Sequence, residues 1–220
     1  MAISDEGTIR EYYEIRTQID SFNDDVRAVI SHPQYSVAFL TPGRLVHVKH
    51  KEFDFGWGAV VNNKKRKPQR NAAEEFSDHE SWVVDVLLKI ADGPSIGTKT
   101  FEDLPQGVRP PKDGEKHQMA VVPLLLNCIQ SIGQARLHLG KDLQSTEARN
   151  DTGKKVDMVQ KRFPDGIAVL DPIEDMGIKD DEFKKTLRVR DALVKCLKGS
   201  LTFFSENRGS GVPSLCEPIA

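Results

Sequence analysis

The sequence predicts an α+β protein in which a small, curved β-barrel is inserted between antiparallel helices. Three observations lead there. Tyr12, Ile15, Ile19, Phe22, Val26 and Val29 fall at alternating steps of three and four, which is a heptad seam. Two β-branched and aromatic runs, Arg44 to Lys49 and Trp57 to Val61, are bounded on both sides by turn residues, as strands are. A second helical seam, Phe183, Leu187, Val194 and Leu197, follows later in the chain.

Taken in order, Ser4 is the expected N-cap of a helix over 6–31, with Asp5 and Glu6 where the helix dipole favours acids. A seam this narrow calls for one partner helix, so residues 4–32 read as the first arm of a stalk. His32-Pro33 ends it, because the residue before proline is driven out of the α region. Pro42-Gly43 then turns the chain into the first strand, and the glycines on either side of Trp57 predict a bulge or a close backbone approach in the second. Trp82 to Ile90 reads as a third strand. Met119 to Asn127 reads as a fourth, with Pro123 marking an edge or a bulge, and Ile129 to Leu139 as a strand pair or one bent strand. Long surface loops over 64–80 and 91–118 complete a barrel spanning 39–145. Val156, Met158, Val159 and Phe163 give a returning helix an apolar face that ends at Pro164-Asp165-Gly166. A last helix opens at Lys179-Asp180-Asp181-Glu182 and stops at Gly199. Residues 150–198 are thus assigned to the returning side of the stalk, and 199–220 to an irregular tail.

Composition narrows the function classes. A net charge of −2 argues against a wholly basic nucleic-acid coat, so any RNA contact must come from a local patch. Cys128, Cys196 and Cys216 lie far apart with no C-x-x-C, which reads as free thiols in a reducing compartment. The charged start MAISDEGTIREYY is unlike a signal peptide, and no apolar run approaches the ~18 residues of a membrane span. The expectation is an intracellular soluble chain with no membrane partner.

No catalytic signature is present. The sequence has neither a phosphate-binding G-x-x-x-x-G-K-[ST] loop nor a D-E-x-H/D motif. His47 and His50 could approach each other in a hairpin, but they lack the carboxylate or thiolate companions of a metal site. Acid clusters such as Asp180-Asp181-Glu182 read as caps and solvated faces. The run Lys64-Lys65-Arg66-Lys67, with Arg70 nearby, is the best electrostatic footprint for RNA. Its bland alternative is a solvated loop tip. Trp57 could stack on a base, though a glycine-flanked strand tryptophan is more often core. Arg136 sits in the apolar setting Ile132-Gly-Gln-Ala-Arg-Leu-His-Leu139, where it must face out or be paired. An outward guanidinium beside apolar surface suits the carboxylate of an incoming peptide, whereas a pair with a neighbouring acid is the plainer alternative.

Three stretches carry a resemblance: REYYEIRTQIDSFNDDVRAVISHPQY, PGRLVHVKHKEFDFGWGAVVNNKKR and VQKRFPDGIAVLDPIEDMGIKD. Together they resemble the arch of the nuclear exosome RNA helicase, the DExH-box helicase of the TRAMP complex, over roughly residues 4–189. The resemblance implies two stalk helices carrying a KOW-type β-barrel inserted in an ATP-dependent helicase of the nucleus and nucleolus. It implies no catalysis and no cofactor in this part. The implied partners are structured RNA, adaptor proteins bearing a leucine-phenylalanine-x-apolar-aspartate motif, and exosome and TRAMP components through the parent helicase. The barrel arginine that meets the motif's aspartate corresponds to Arg136, four residues ahead of Gly140-Lys-Asp-Leu143, where Gly140 replaces the family's proline. Residues 188–220 depart from the family pattern, as expected of a fragment with a divergent tail. A stalk helix cut short there predicts a seam over 12–29 that is partly unpaired.

Overall fold

The structure, a computed structural model, describes residues 6–66, 77–78, 80–93, 104–105, 107–140 and 143–206. In chain order its helices are α1 (Glu6–Ile30), α2 (Pro33–Ser36), α3 (Thr146–Arg162) and α4 (Asp181–Glu206). Its strands are β1 (Arg44–His50), β2 (Phe53–Lys65), β3 (Trp82–Ala91), β4 (His117–Leu125) and β5 (Ile129–Arg136). The chain divides into two units, one made of Met1–Val26 with Lys179–Ala220, the other of Arg27–Ile178. The fold is α+β.

In the helical unit Ile15 and Ile19 of the α1 seam are buried against Leu193, Val194 and Leu197 of α4. The Asp180 carboxylate accepts the Phe183 N–H at 2.8 Å, and Asp181 and Glu182 fill the first turn of α4. The Ser4 cap lies outside the described residues. α4 does not stop at Gly199 but continues to Glu206. One interior glycine costs about 1 kcal/mol, too little to end a helix when no proline follows until Pro213. The seam is covered at Ile15 and Ile19 by α4 residues that precede Gly199, while Tyr12, Phe22 and Val29 are partly exposed. Cys128 is buried and is not in a disulfide. Cys196 is disulfide-bonded, a departure from three free thiols.

The larger unit is built on an antiparallel sheet in the order β4-β3-β2-β1-β5. β4 and β5 are opposite ends of that order, yet only the 3₁₀ turn Leu126–Cys128 joins them. A flat sheet would hold them about 19 Å apart, at about 4.8 Å per strand. The link from Leu125 to Ile129 reaches at most about 14 Å even when stretched. The sheet must therefore curl until its edges meet. The inside of the curl is filled by Val46, Val48, Val60, Val84 and Leu124, all fully buried, while Leu45 on the opposite face packs with Ala59 and Val156.

Two glycines permit the curvature. The β1–β2 register shifts between Val48 and Lys49, which leaves Phe55 as an extra residue beside Gly56 at φ 69°, so a bulge stands just before Trp57. Gly58 is the close approach: a Cβ there would lie 2.5 Å from Leu88 Cδ2 and 2.8 Å from the Leu87 carbonyl oxygen.

Elsewhere the structure corrects boundaries. β2 runs on to Lys65, so the 64–80 segment starts inside the ladder, with Lys64 opposite Val83 and Lys65 opposite Trp82. β4 begins at His117, because Ala91 and Ile90 of β3 pair with His117 and Gln118 despite their polarity. Part of the 91–118 segment is packed, with Leu104 and Val108 buried. β5 is a single strand, and the segment after it carries only the bridge partner of Gly133 at Val169.

α3 belongs to the barrel unit rather than to the stalk. Its buried face is Thr152, Gly153 and Val156, and a Cβ on Gly153 would press on Met119 of β4 at under 3 Å. Met158 and Phe163, expected on its apolar face, are exposed at 60% and 46%. The small residues decide the face because they let the helix lie close on the strand. Among the described residues no helix is long and apolar enough to cross a membrane.

Gly58→Ala should destabilise the chain by about 2 kcal/mol, the cost of overpacking against a neighbour that includes backbone. Urea unfolding measures it. A loss below about 0.5 kcal/mol would mean that β2 and β3 do not approach as described.

Candidate functional site: the β5 edge and the cleft beside Trp57

β5 pairs with β1 on one side and is covered on the other by residues 168–170. The Gln134 N–H donates to the Ala168 carbonyl and the Leu170 N–H to the Ile132 carbonyl, both at 2.8 Å. The turn that follows holds this cover in place. Asp171 accepts the N–H groups of Ile173 and Glu174 at 2.7 and 2.8 Å, and Asp175 accepts that of Asp171 at 2.8 Å. Ile178 and Met176 anchor the turn in the interior. The motif Leu170-Asp-Pro-Ile-Glu-Asp-Met-Gly-Ile178 is therefore a self-capped strap whose two aspartates, Asp171 and Asp175, are spent on its own backbone.

At the end of β5, Arg136 stands opposite Arg44 of β1. Arg44 is half-buried and committed: it donates to the carbonyls of Phe39 at 3.2 Å, Gly133 at 3.3 Å and Gln134 at 2.8 Å. Burial first, and then the positive charge of Arg136, lower its pKa from the ordinary guanidinium range. Arg136 is exposed and reaches only the Pro42 carbonyl, at a long 3.5 Å. No carboxylate among the described residues pairs with it. A guanidinium has five N–H donors, so most of its capacity faces solvent. Val169 and Ile173 of the strap are exposed at 47% and 41%, and Val169 lies opposite Gly133, three residues along the strand from Arg136. That spacing is about 10 Å. The edge thus combines an unpaired cation, a second cation behind it and exposed aliphatic surface.

The basic run is less uniform than its sequence. Lys64 pairs with Asp85 at 3.3 Å, and Arg66 donates to the Glu80 carbonyl at 3.2 Å. Lys65 is exposed at the strand end. Lys67 and Arg70 lie outside the described residues. Only part of the run is therefore shown to be held by the β2–β3 ladder, where sequence reading placed the start of a loop over 64–80.

Trp57 is half-buried. It packs on the cluster of Leu45, Ala59, Val156 and Ile167, and its ring meets His47 edge-on at 5.4 Å. This is the packing role rather than a free stacking platform. Beside it opens a cleft of about 880 Å³ between β2, α3 and the loop Pro110–Glu115. Sequence reading missed it, since its walls come from three distant segments. The loop is fixed by a bidentate clamp: Arg109 Nη1 donates to Glu115 at 2.7 Å and Nη2 to its other oxygen. The clamp first, and then the Lys112 N–H, hold the Glu115 carboxyl down at about 2. Backbone bonds from Ala91 to Arg109 and from Asp92 to Lys116 tie the loop to the end of β3. Among the described residues no three histidine, cysteine or carboxylate groups gather as a metal site.

A curled five-stranded sheet in one unit and a helical pair in the other define the class: a chain with a β-barrel and a stalk. The comparisons agree. The family described as Mtr4-like, beta-barrel domain matches residues 32–210, and the one described as Exosome RNA helicase MTR4-like, stalk matches residues 1–31. The chain belongs to the Mtr4-like family. It is 37% identical over 205 residues to the ATP-dependent RNA helicase mtr4 of Schizosaccharomyces pombe, covering 93% of this chain and 18% of that protein. It is 38% identical over 192 residues to the Exosome RNA helicase MTR4 of Homo sapiens, covering 87% and 18%. The DExH-box ATP-dependent RNA helicase DExH10 of Arabidopsis thaliana is 33% identical over 179 residues, covering 81% and 17%. The chain thus spans about a fifth of the length of these relatives.

The clamp generates a pH dependence. The Glu115 carboxyl is more acidic folded than at its ordinary 4.5, so its stabilising contribution is present above that value and is lost as pH falls toward about 2. Glu115→Gln should lower the melting temperature at neutral pH and flatten its fall across that window, so that the two proteins converge as pH approaches about 2. An unaltered acid slope in thermal melts would refute the clamp.

Proposed function

We propose that this chain is the non-catalytic arch module of an exosome-associated, ATP-dependent RNA helicase, recruiting adaptor proteins through short apolar-acidic peptide motifs. The exposed Arg136, with no acidic partner among the described residues and backed by Arg44, carries the reading. An aspartate of an incoming peptide would meet two positive charges, while Val169 and Ile173 offer aliphatic surface to the motif's apolar residues. Lys64, Lys65, Arg66, Lys67 and Arg70 would contact structured RNA as a secondary, salt-sensitive surface. Exosome and TRAMP components would be reached through the rest of the helicase, in the nucleus and nucleolus. ATP hydrolysis and unwinding would belong to the remainder of the parent protein.

The test is fluorescence anisotropy with a labelled peptide bearing the leucine-phenylalanine-x-apolar-aspartate motif. Micromolar binding that weakens at least tenfold in Arg136→Ala, about 1.4 kcal/mol, is expected. Equal binding by both proteins would remove Arg136 from the role. Binding of structured RNA alone, with a steep salt slope, would favour a plain RNA-binding barrel, and no ligand at all a structural spacer.

A further inference from the structure

The face of α3 turned away from the sheet carries an arrangement that its packing does not explain. Met158 is 60% exposed in the middle of it. The positions that neighbour a helical residue on the surface are those three and four residues before and after it. For Met158 these are Lys154, Lys155, Lys161 and Arg162, all exposed. Two carboxylates lie near this group. Asp151, one turn earlier, pairs with Lys154 at 3.3 Å, and Asp157 lines the cleft beside Trp57. Setting the Asp151–Lys154 pair aside leaves three cations against one acid. Lys155, Lys161 and Arg162 have no hydrogen-bond or ion-pair partner among the described residues. The helix dipole favours cations in the last turn, which accounts for Lys161 and Arg162. It does not account for Lys154 and Lys155, two turns from the end, or for an exposed methionine among them.

The charges select an anion, and the group at their centre selects which kind. A thioether is a soft, adaptable apolar contact of the sort used on peptide-binding surfaces. It is no platform for a nucleobase, which stacks on aromatic rings. The exposed aromatic residue of this helix, Phe163, is its C-cap and stands outside the four positions around Met158. A phosphate backbone has no apolar group to cover the thioether. A polypeptide has both parts, since acidic side chains can meet the cations while one apolar side chain covers Met158. Lys154 and Lys161 are about 10 Å apart along the helix, the span of about three residues of extended chain. The segment that fits therefore has acids on both sides of an apolar residue.

We propose that this face of α3 docks an acidic segment of a partner protein, with carboxylates on Lys155, Lys161 and Arg162 and an apolar side chain on Met158.

The experiment follows the methionine methyl signals of the full chain in ¹H–¹³C spectra, with Met158→Gln giving the assignment. The probes are an end-blocked Gly-Asp-Glu-Leu-Glu-Asp-Gly peptide, its counterpart with serine in place of leucine, and a short oligouridine. Met119, packed under Gly153, and the buried Met176 report whether the fold changes. The expected result is a saturable shift of the Met158 methyl with the leucine peptide, weaker with the serine peptide and weakened by salt. Lys161→Gln combined with Arg162→Gln, at exposed positions, should weaken the leucine peptide at least about fivefold. Arg136→Ala should leave the Met158 response unchanged, which separates this face from adaptor capture at the β5 edge. No shift at Met158, equal binding by the double variant, loss of the response in Arg136→Ala, or tighter binding of oligouridine would overturn the assignment.

Discussion

Everything in the barrel unit depends on one short connection. Leu126–Cys128 must carry the chain from one end of the strand order to the other, and three residues allow that only if the sheet curls. The turn is locked from inside, since Leu126, Cys128 and Ile129 are all buried. Curling in turn demands places where backbones come closer than side chains permit. Gly58 against Leu87 and Leu88 is one, and Gly43 against the Leu137 carbonyl is another. The glycines are consequences of the closure, and the closure is a consequence of the link length.

The functional surface inherits this geometry. β5 lies next to β1 only because the sheet closes, and that pairing sets Arg136 opposite Arg44. Arg44 spends its donors on three carbonyls, which makes it a fixed charge rather than a ligand contact. Arg136 keeps its donors. The strap 168–178 prevents the remainder of the β5 edge from acting as a bare template, because it pairs with Ile132 and Gln134 and spends Asp171 and Asp175 on backbone amides. An acidic residue released from that strap would be the plainest intramolecular competitor for Arg136.

Much of this was legible in the sequence, for identifiable reasons. The α1 seam and the strands around Trp57 carry strong periodicity and turn punctuation, and Gly56 and Gly58 announced the bulge and the close approach. For Arg136 the sequence left two readings, outward-facing or paired with a neighbouring acid, and the structure has it exposed. What stayed hidden depended on contacts between distant segments. α3 was read by its largest apolar residues, but its packing face is Thr152, Gly153 and Val156, where smallness rather than hydrophobicity decides. Lys64 and Lys65 look like a loop because lysines have no strand signal, yet β3 pairs with them. The strap and the Trp57 cleft have no local signature, since each is assembled from segments far apart in the chain.

The central claim is that closure of the sheet sets β5 beside β1 and presents Arg136 there. Nuclear Overhauser contacts measure it most directly. The account predicts cross-strand contacts between backbone protons of Arg44 and Arg136, and of Gly133 and Val169, in one folded species. Absence of the Arg44–Arg136 contact, while the contacts between β1 and β2 persist, would show an open sheet and contradict it.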